Sequence, residues 1–373
     1  MSVVIKPVTT KSEKKKFVKL PWKIYKDDPN WVPPLIIDRM NFLNPKKNPY
    51  FKHSQVQLFL AYKDGELVGR ITAQENNNHN KKYNDNTGFW GFFECIDDQE
   101  VANALLDASS QWLKDRGLSS MRGPFMFSVN EECGLLVDGF DTPPSILMTH
   151  NPPYYAKLLN TYGFKKATDM YAYQLFSKDT FHKVIFKRAE QARKSGKYTF
   201  RTINLKDLPG EIKGLHRVLS EAWEENWGSV FMTDEEILHL ADEMKPVLDK
   251  DFFFIAENEE GPVGFCVFIP DMNEAIRKAN GRLLPFGLIK ILLHKNKIKS
   301  GRIPLMGVLK EHRHNGIDAV FYVDTYNTAK KKGIERGEAS WILENNVPMN
   351  KALQKMGATI YKTYRIYEYD LNK

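Results

Sequence analysis

The sequence predicts an α/β fold with mixed sheets, built twice in tandem along one chain. Three observations carry this. Strand-like and helix-like runs follow the order hairpin, strand, helix, strand, helix, strand, and that order returns in the second half. The halves also keep register: Ala61 to Gly69 and Ala256 to Gly264 each span eight positions, and Gly69 to Gly163 spans 94 where Gly264 to Gly357 spans 93. Finally, each half carries a helix opened by proline and closed by glycine, NPPYYAKLLNTYG and NVPMNKALQKMG. Domains are therefore expected at 1–177 and 197–373, joined by a helical linker over 178–196.

Taken in order, residues 3–7 read as a strand and 14–25 as a basic helical stretch. DPNWVPPL and NPKKNPYF then supply turn residues. VQLFLAYKDGELVGRITAQEN is a hairpin turning at Asp64-Gly65, and GFWGFFEC is the next strand. A helix over 99–116 places Val101, Leu105, Ala108, Trp112 and Leu113 on one face. The strand SSMRGPF leads into a Gly- and Pro-rich stretch up to Pro144. THNPPYYAKLLNTYGF is a helix with proline in its first turn, and DMYAYQLF closes the half. In the second half FFFIAENEEGPVGFCVFIP is the hairpin. Residues 303–309 form a strand, a basic loop follows, and a helix begins near Asp318. GEASWIL, NNVPMNKALQKMGA and YRIYEYDL complete the order.

A chain of 373 residues with 42% hydrophobic and 12% aromatic content supports two well-cored domains and excludes a disordered protein. Cys95, Cys133 and Cys266 stand at unrelated spacings, which give neither a disulfide framework nor a zinc site, so no metal is expected. The N-terminus lacks the apolar run of a signal peptide and no stretch approaches a membrane span, so a reducing cytoplasm is the expected compartment. A net charge of +8 and a pI near 9.0 suit an anionic ligand, an acidic membrane surface or RNA. DNA is not an expected partner.

The loop RHNGID lies between the 303–309 strand and its helix. Backbone N–H groups left over at a helix N-terminus point outward together and bind phosphate. Gly316 lets the main chain approach a ligand and Arg313 adds a cation. The loop resembles the pyrophosphate loop R/Q-x-x-G-x-G/A of the GCN5-related N-acyltransferases (GNAT), with one departure: Asp318 stands where that family has a small residue. It either caps the helix or repels phosphate. The corresponding place in the first half reads IDDQE, where carboxylates without glycine make a poor phosphate site. The cofactor therefore belongs to the C-terminal half, and the first half serves as substrate wall or scaffold.

NPYF, DGELVGRITA, MRGPFMFSVNEECGLLVDGFDTPP, THNPPYY, GFKKATDMYAY and WILENNVPM, spread over nearly the whole chain, resemble the YghO-like or bacterial ceramide synthase-like proteins of that superfamily. The resemblance implies a tandem duplicated GNAT-like acyltransferase fold with coenzyme A or acyl-CoA as co-substrate. For some relatives it implies transfer of a fatty acyl group from acyl-CoA to the amine of a sphingoid base. It also implies a splayed fourth strand offering a backbone N–H to the thioester carbonyl, here near Val308 or Leu309. With Arg313, His314, Asn315, Gly316 and Ile317 these are the expected acyl-CoA contacts. The superfamily's usual Tyr acid is replaced by Leu353, and in the first half by Leu159, which leaves Tyr326, another tyrosine or water as proton source.

Acyl transfer to an amine needs a base, a proton for the leaving thiolate and donors for the oxyanion. Glu344, at the end of GEASWIL, is the first candidate base, with Asn346 two residues on; the alternative is that Glu344 caps the next helix. Glu338 shares a strand face with Glu344 if the strand is regular, or is a rim charge. His312 beside the loop is a candidate for proton transfer or for a phosphate contact. In NEECGLLVDG, Asn130, Glu131 and Asp138 either orient the acceptor or belong to an ordered loop turning at Gly134 and Gly139. His150 and Asn151 read as caps of the Pro-Pro helix.

Residues 280–302 form an unusual insert. Leu288, Ile291, Leu292 and Leu293 stand beside Lys290, His294, Lys295, Lys297 and Lys299, which suits peripheral contact with an anionic membrane, or a helix packed on the protein's own core. Three function classes stay open: an acyl-CoA-dependent N-acyltransferase acting on an amine, a lipid amine above all; an aminoacyl-tRNA-dependent peptidyl transferase; and a non-catalytic acyl-CoA-binding protein.

Overall fold

Residues 2–179, 183–230 and 232–373 are described by a computed structural model. The chain begins with β1 (Val4–Pro7), α1 (Lys11–Lys19), α2 (Pro21–Ile24) and α3 (Ile36–Phe42). The first hairpin is β2 (Ser54–Lys63) and β3 (Glu66–Asn76), followed by α4 (Asn77–Tyr83), β4 (Thr87–Cys95) and α5 (Gln99–Lys114). β5 (Ser120–Gly123), β6 (Leu135–Asp138), α6 (Tyr155–Tyr162) and β7 (Lys165–Phe176) come next. The second half runs α7 (Lys183–Lys194), β8 (Thr199–Thr202), α8 (Leu208–Trp223), α9 (Asp234–Met244), β9 (Phe253–Asn258) and β10 (Gly261–Pro270). It ends with α10 (Asn273–Ile276), α11 (Gly287–Lys295), β11 (Ser300–Val308), α12 (Ile317–Lys331), β12 (Arg336–Leu343), α13 (Val347–Lys355) and β13 (Thr359–Asp370).

Each repeat follows the order expected of it, and local chemistry accounts for the boundaries that differ. The basic stretch 14–25 is two helices, because Pro21 starts α2 instead of continuing α1. Pro152 and Pro153 precede α6: the Tyr155 N–H donates to Pro152 O at 3.2 Å, so the prolines build the turn before the helix and not its first turn. α13 does carry proline in its first turn. Of the expected linker, 180–182 lie outside the described residues. The rest contains α7, which packs Ala189 and Ala192 against Ala319 and Val320 of α12 and so belongs to a core.

Two compact units result. Unit 1 comprises Met1–Met170, Ala275–Leu293 and Lys362–Lys373; unit 2 comprises Tyr171–Glu274 and His294–Tyr361. The repeats along the chain and the compact units are therefore different partitions. In unit 1 the strand order is β1-β2-β3-β4-β5-β13, with β4 and β5 parallel and β13 antiparallel to β5. In unit 2 the order is β7-β12-β11-β10-β9-β8, with β11 and β12 parallel. The closing strand of each repeat thus completes the sheet of the other unit.

The cores are separate as well. In unit 1, α5 and α6 cover one face of the sheet with Val101, Leu105, Leu113, Leu158 and Leu159 around Trp90. On the other side Phe42, Tyr50, Phe92 and Phe127 form an aromatic stack, with Phe127 centred 4.6 Å from Phe42 and 4.8 Å from Tyr50. In unit 2, Tyr173, Tyr322, Ala339, Leu353 and Met356 form the cluster beside the parallel strand pair.

Candidate functional site

The parallel pair β11 and β12 holds together only from Ser300↔Arg336 to Ile303↔Ala339, and beyond that the strands part. β11 stays bonded to β10 through Gly264↔Val308. The Leu309 N–H donates to Val263 O at 2.9 Å, which makes Gly264↔Val308 a pair that exchanges no hydrogen bonds of its own. Val308, and Met306 two residues earlier opposite Cys266, therefore turn their peptide groups away from β10, toward the side that β12 has left. Two N–H groups thus line an opened strand edge. Leu309 is buried and its N–H is engaged, so of the two residues expected to offer an oxyanion donor only Val308 is placed to do so.

The loop after β11 ends at Gly316, the N-cap of α12, in the left-handed region (φ 82°) and without a side-chain cap. The first-turn N–H groups have no carbonyl within the helix and no side chain across them, so this end fits an anion. Asp318 lies in that turn and does not cap. Arg313, His314 and Asn315 are exposed, while Ile317 is buried beneath them. Arg313 donates to Val308 O at 3.3 Å and Ala222 O at 3.4 Å, and Asn315 to the carbonyls of His312 and Arg313, which shapes the loop. His312 bonds Tyr198 at 3.0 Å. Gly316 has a second duty: a Cβ there would lie 3.1 Å from Arg188 O and 3.2 Å from the Ala192 Cβ of α7.

Glu344 occupies the turn after β12, half-buried, immediately before α13. Asn346, not Glu344, caps that helix, accepting from Met349 N at 3.3 Å. Asn350 ties the turn down by donating to Leu343 O and Asn346 O, each at 2.9 Å, while its own Oδ1 accepts from Tyr173. Glu338 stands apart from this arrangement. It is 2% exposed, faces Arg302 at 3.6 Å, and accepts from the hydroxyls of Ser340 and Tyr361. Arg302, equally buried, donates on to the Ser340 hydroxyl at 2.7 Å. So enclosed a carboxylate is built as an ion-pair network.

Tyr326 donates to Ser177 O at 3.2 Å. One turn earlier Tyr322, a second tyrosine of α12, has its hydroxyl 3.2 Å from Met349 Sδ in the cluster that contains Met306 of β11 and Ile342 of β12. Burial pushes its pKa up, so it keeps its proton. The signal was the Tyr322/Tyr326 spacing on α12, one helical turn.

Asn130, Glu131 and Asp138 lie in unit 1, whereas Val308, Glu344 and the loop lie in unit 2. Asn130 is exposed in a turn whose N–H reaches Ser128 Oγ at 3.2 Å, and Asp138 ends β6. Gly134 and Gly139 stand at positive φ as turns. The loop is tied by buried Lys362, which donates to Gly139 O and to Thr142 O at 2.8 Å. His150 and Asn151 do not cap α6: His150 bonds Asp28 at 2.7 Å, and Asn151 accepts from Leu136 N at 2.9 Å.

No family model matches the chain. It is 38% identical over 372 residues to protein YghO of Escherichia coli (strain K12), covering 98% of this chain and 95% of that protein. It is 39% identical over 369 residues to the bacterial ceramide synthase of Caulobacter vibrioides, covering 97% and 96%. Among solved structures it resembles a tandem GNAT protein from the clavulanic acid biosynthesis pathway, with a TM-score of 0.60, 10% identity and 99% of each chain covered. It also resembles a GCN5-related N-acetyltransferase from Sphaerobacter thermophilus, with a TM-score of 0.57, 11% identity and 99% and 96% covered. At such identities the structures speak for the fold, a tandem GNAT fold. The full-length relatives speak for descent, and the chain belongs to the family of protein YghO and the bacterial ceramide synthase.

Proposed function

We propose that the chain is an N-acyltransferase of GNAT type, moving a fatty acyl group from an acyl-CoA thioester to an amine, with a sphingoid base or other lipid amine as acceptor. The observation that carries this reading is the opened edge of β11 beside the uncapped start of α12. The name of the Caulobacter vibrioides relative supports the lipid amine.

In this reading the first turn of α12, with Arg313, His314 and Asn315, holds the pyrophosphate of acyl-CoA. The N–H of Val308 donates to the thioester oxygen as it gains charge. Glu344 accepts the proton that the amine loses as the C–N bond forms. The Tyr322 hydroxyl, in the cluster that contains Met306 and Ile342, is the proposed proton source for sulfur as the C–S bond breaks. Asn346 holds the Glu344 turn by capping α13, and Glu338 supports β12 from within. Asn130, Glu131 and Asp138 are proposed acceptor contacts, and 1–177 and 197–373 the proposed repeats.

The test is a thermal-shift panel of CoA, long-chain acyl-CoA and tRNA, followed by CoA release with sphingoid and small polar amines. A ligand bound only by the native state raises its Tm. Stabilisation by acyl-CoA together with release dependent on a long-chain amine is expected; stabilisation by tRNA alone would replace this reading with peptidyl transfer.

A further inference from the structure

The insert before β11 is anchored at its base and bare at its tip. Trp22 Nε1 donates to Asn280 Oδ1 at 2.9 Å and Ile36 N to Gly281 O at 3.0 Å, which pins the start of the segment. Beyond it, Leu284 is 78% exposed, Phe286 66% and Leu293 65%, and Leu288, Ile289 and Leu292 are each about half exposed. On α11 only Gly287 and Ile291 are buried, on one side of the helix. Leu288, Ile289, Leu292 and Leu293 occupy an arc of roughly 140° opposite. The sequence allowed a helix packed on the core; the structure turns most of its apolar side chains outward.

We infer that α11 and the Leu284–Phe286 turn before it insert into the interface of an anionic lipid bilayer. Scattered exposed leucines are ordinary, but six large apolar side chains within ten residues form one patch. Charge selects the occupant. Between Glu274 and Glu311 the chain has no Asp or Glu, while Arg282, Lys290, Lys295 and Lys297 are exposed beside the patch. Lys290 and Lys295 border the apolar arc, where long cationic side chains reach headgroups while the leucines enter the acyl region. Among the described residues no helix is long and apolar enough to cross a membrane, so this is surface attachment. The inference rests on the lipid-acceptor reading only for its purpose, delivering two poorly soluble substrates; exposure and charge are its evidence.

Flotation of the full chain with phosphatidylglycerol/phosphatidylcholine vesicles tests it, beside pure phosphatidylcholine vesicles. Two variants accompany the wild type: Leu288→Ser/Ile289→Ser/Leu292→Ser/Leu293→Ser, and Lys290→Glu/Lys295→Glu/Lys297→Glu. Wild type is expected to float with anionic vesicles, less so at high salt, and each variant to bind at least about ten-fold more weakly with an unchanged Tm. Absence of flotation at low salt overturns the inference, as does flotation of the serine variant at the wild-type level. A concentration-dependent dimer that the serine variant abolishes, with no flotation, also overturns it and assigns the patch to a second copy. CoA release measured without lipid keeps the two readings apart: flotation without acyl transfer leaves the membrane contact standing and removes the enzyme reading.

Discussion

The corresponding strand ends of the two units are Cys95 and Val308, each facing a glycine of its hairpin, Gly69 and Gly264. In unit 1 the Cys95 N–H is taken by the Tyr155 hydroxyl at 2.9 Å, and that hydroxyl also donates to Glu94 at 2.7 Å. Met349 stands in the position of Tyr155, each eight residues before the glycine that closes its helix. A thioether accepts hydrogen bonds only weakly, so Met349 cannot close the strand edge as Tyr155 does. The helix starts differ in the same sense. Asp98 caps α5, accepting from Glu100 N at 2.9 Å and Val101 N at 3.4 Å, and is paired with Lys63 at 2.6 Å, which holds its pKa down. Gly316 offers α12 no such cap.

The space between the strands differs too. Unit 2 passes directly from Leu343 to α13 at Val347, but unit 1 inserts a long loop between Gly123 and Tyr155. Phe125 of that loop closes on β4, donating to Trp90 O at 2.8 Å and accepting from Gln74 at 3.0 Å. A Cβ at Gly91 would sit 1.7 Å from Phe125 O, so the loop's backbone occupies the gap. One backbone plan thus has these N–H groups filled by its own side chains in unit 1, while in unit 2 the start of α12 has no side-chain cap.

The most severe test of this contrast is Glu344→Gln, expected to lower turnover by about 10²–10⁴-fold with acyl-CoA affinity unchanged and partial recovery at high pH, where more amine is neutral. Normal turnover by the folded variant would remove Glu344 from the chemistry. Glu338→Ala should act on stability instead. It removes the carboxylate that faces the buried Arg302 guanidinium, a loss of about 3–5 kcal/mol in urea unfolding; lost turnover at wild-type stability would return Glu338 to the candidate bases.

Copying the unit 1 plug into unit 2 is the most direct challenge. Met349→Tyr is expected to cut turnover at least about ten-fold by occupying the strand edge, whereas Met349→Leu should change it little; equal effects of the two would dissolve the comparison. Arg313→Glu/His314→Glu should weaken acyl-CoA about ten-fold by calorimetry, since each reverses or adds charge at the phosphate position. That pair is a cleaner probe than Gly316→Asp, which also strains a positive φ and meets α7. The smallest effect is expected from Asp98→Ala: about 1 kcal/mol of stability from the lost cap, and none on acyl-CoA binding.

Sequence alone determined the repeated order of elements, because periodicity, proline and glycine act within a few residues. It also set the two helix starts apart, carboxylates without glycine in IDDQE against glycine in RHNGID. Tertiary structure decided the rest. An apolar strand pattern does not say which sheet it joins, so only the fold shows β13 beside β5 and β7 beside β12. Strand parity could not tell that Glu338 faces Arg302 in the interior, because Arg302 lies 36 residues before it and Tyr361 23 after it in the chain. The spacing of Tyr322 and Tyr326 is legible in the sequence, but only the fold shows that Tyr322 reaches Met349. The α11 patch reads equally well as core or surface in one dimension. Its exposure is a property of what the rest of the chain leaves uncovered.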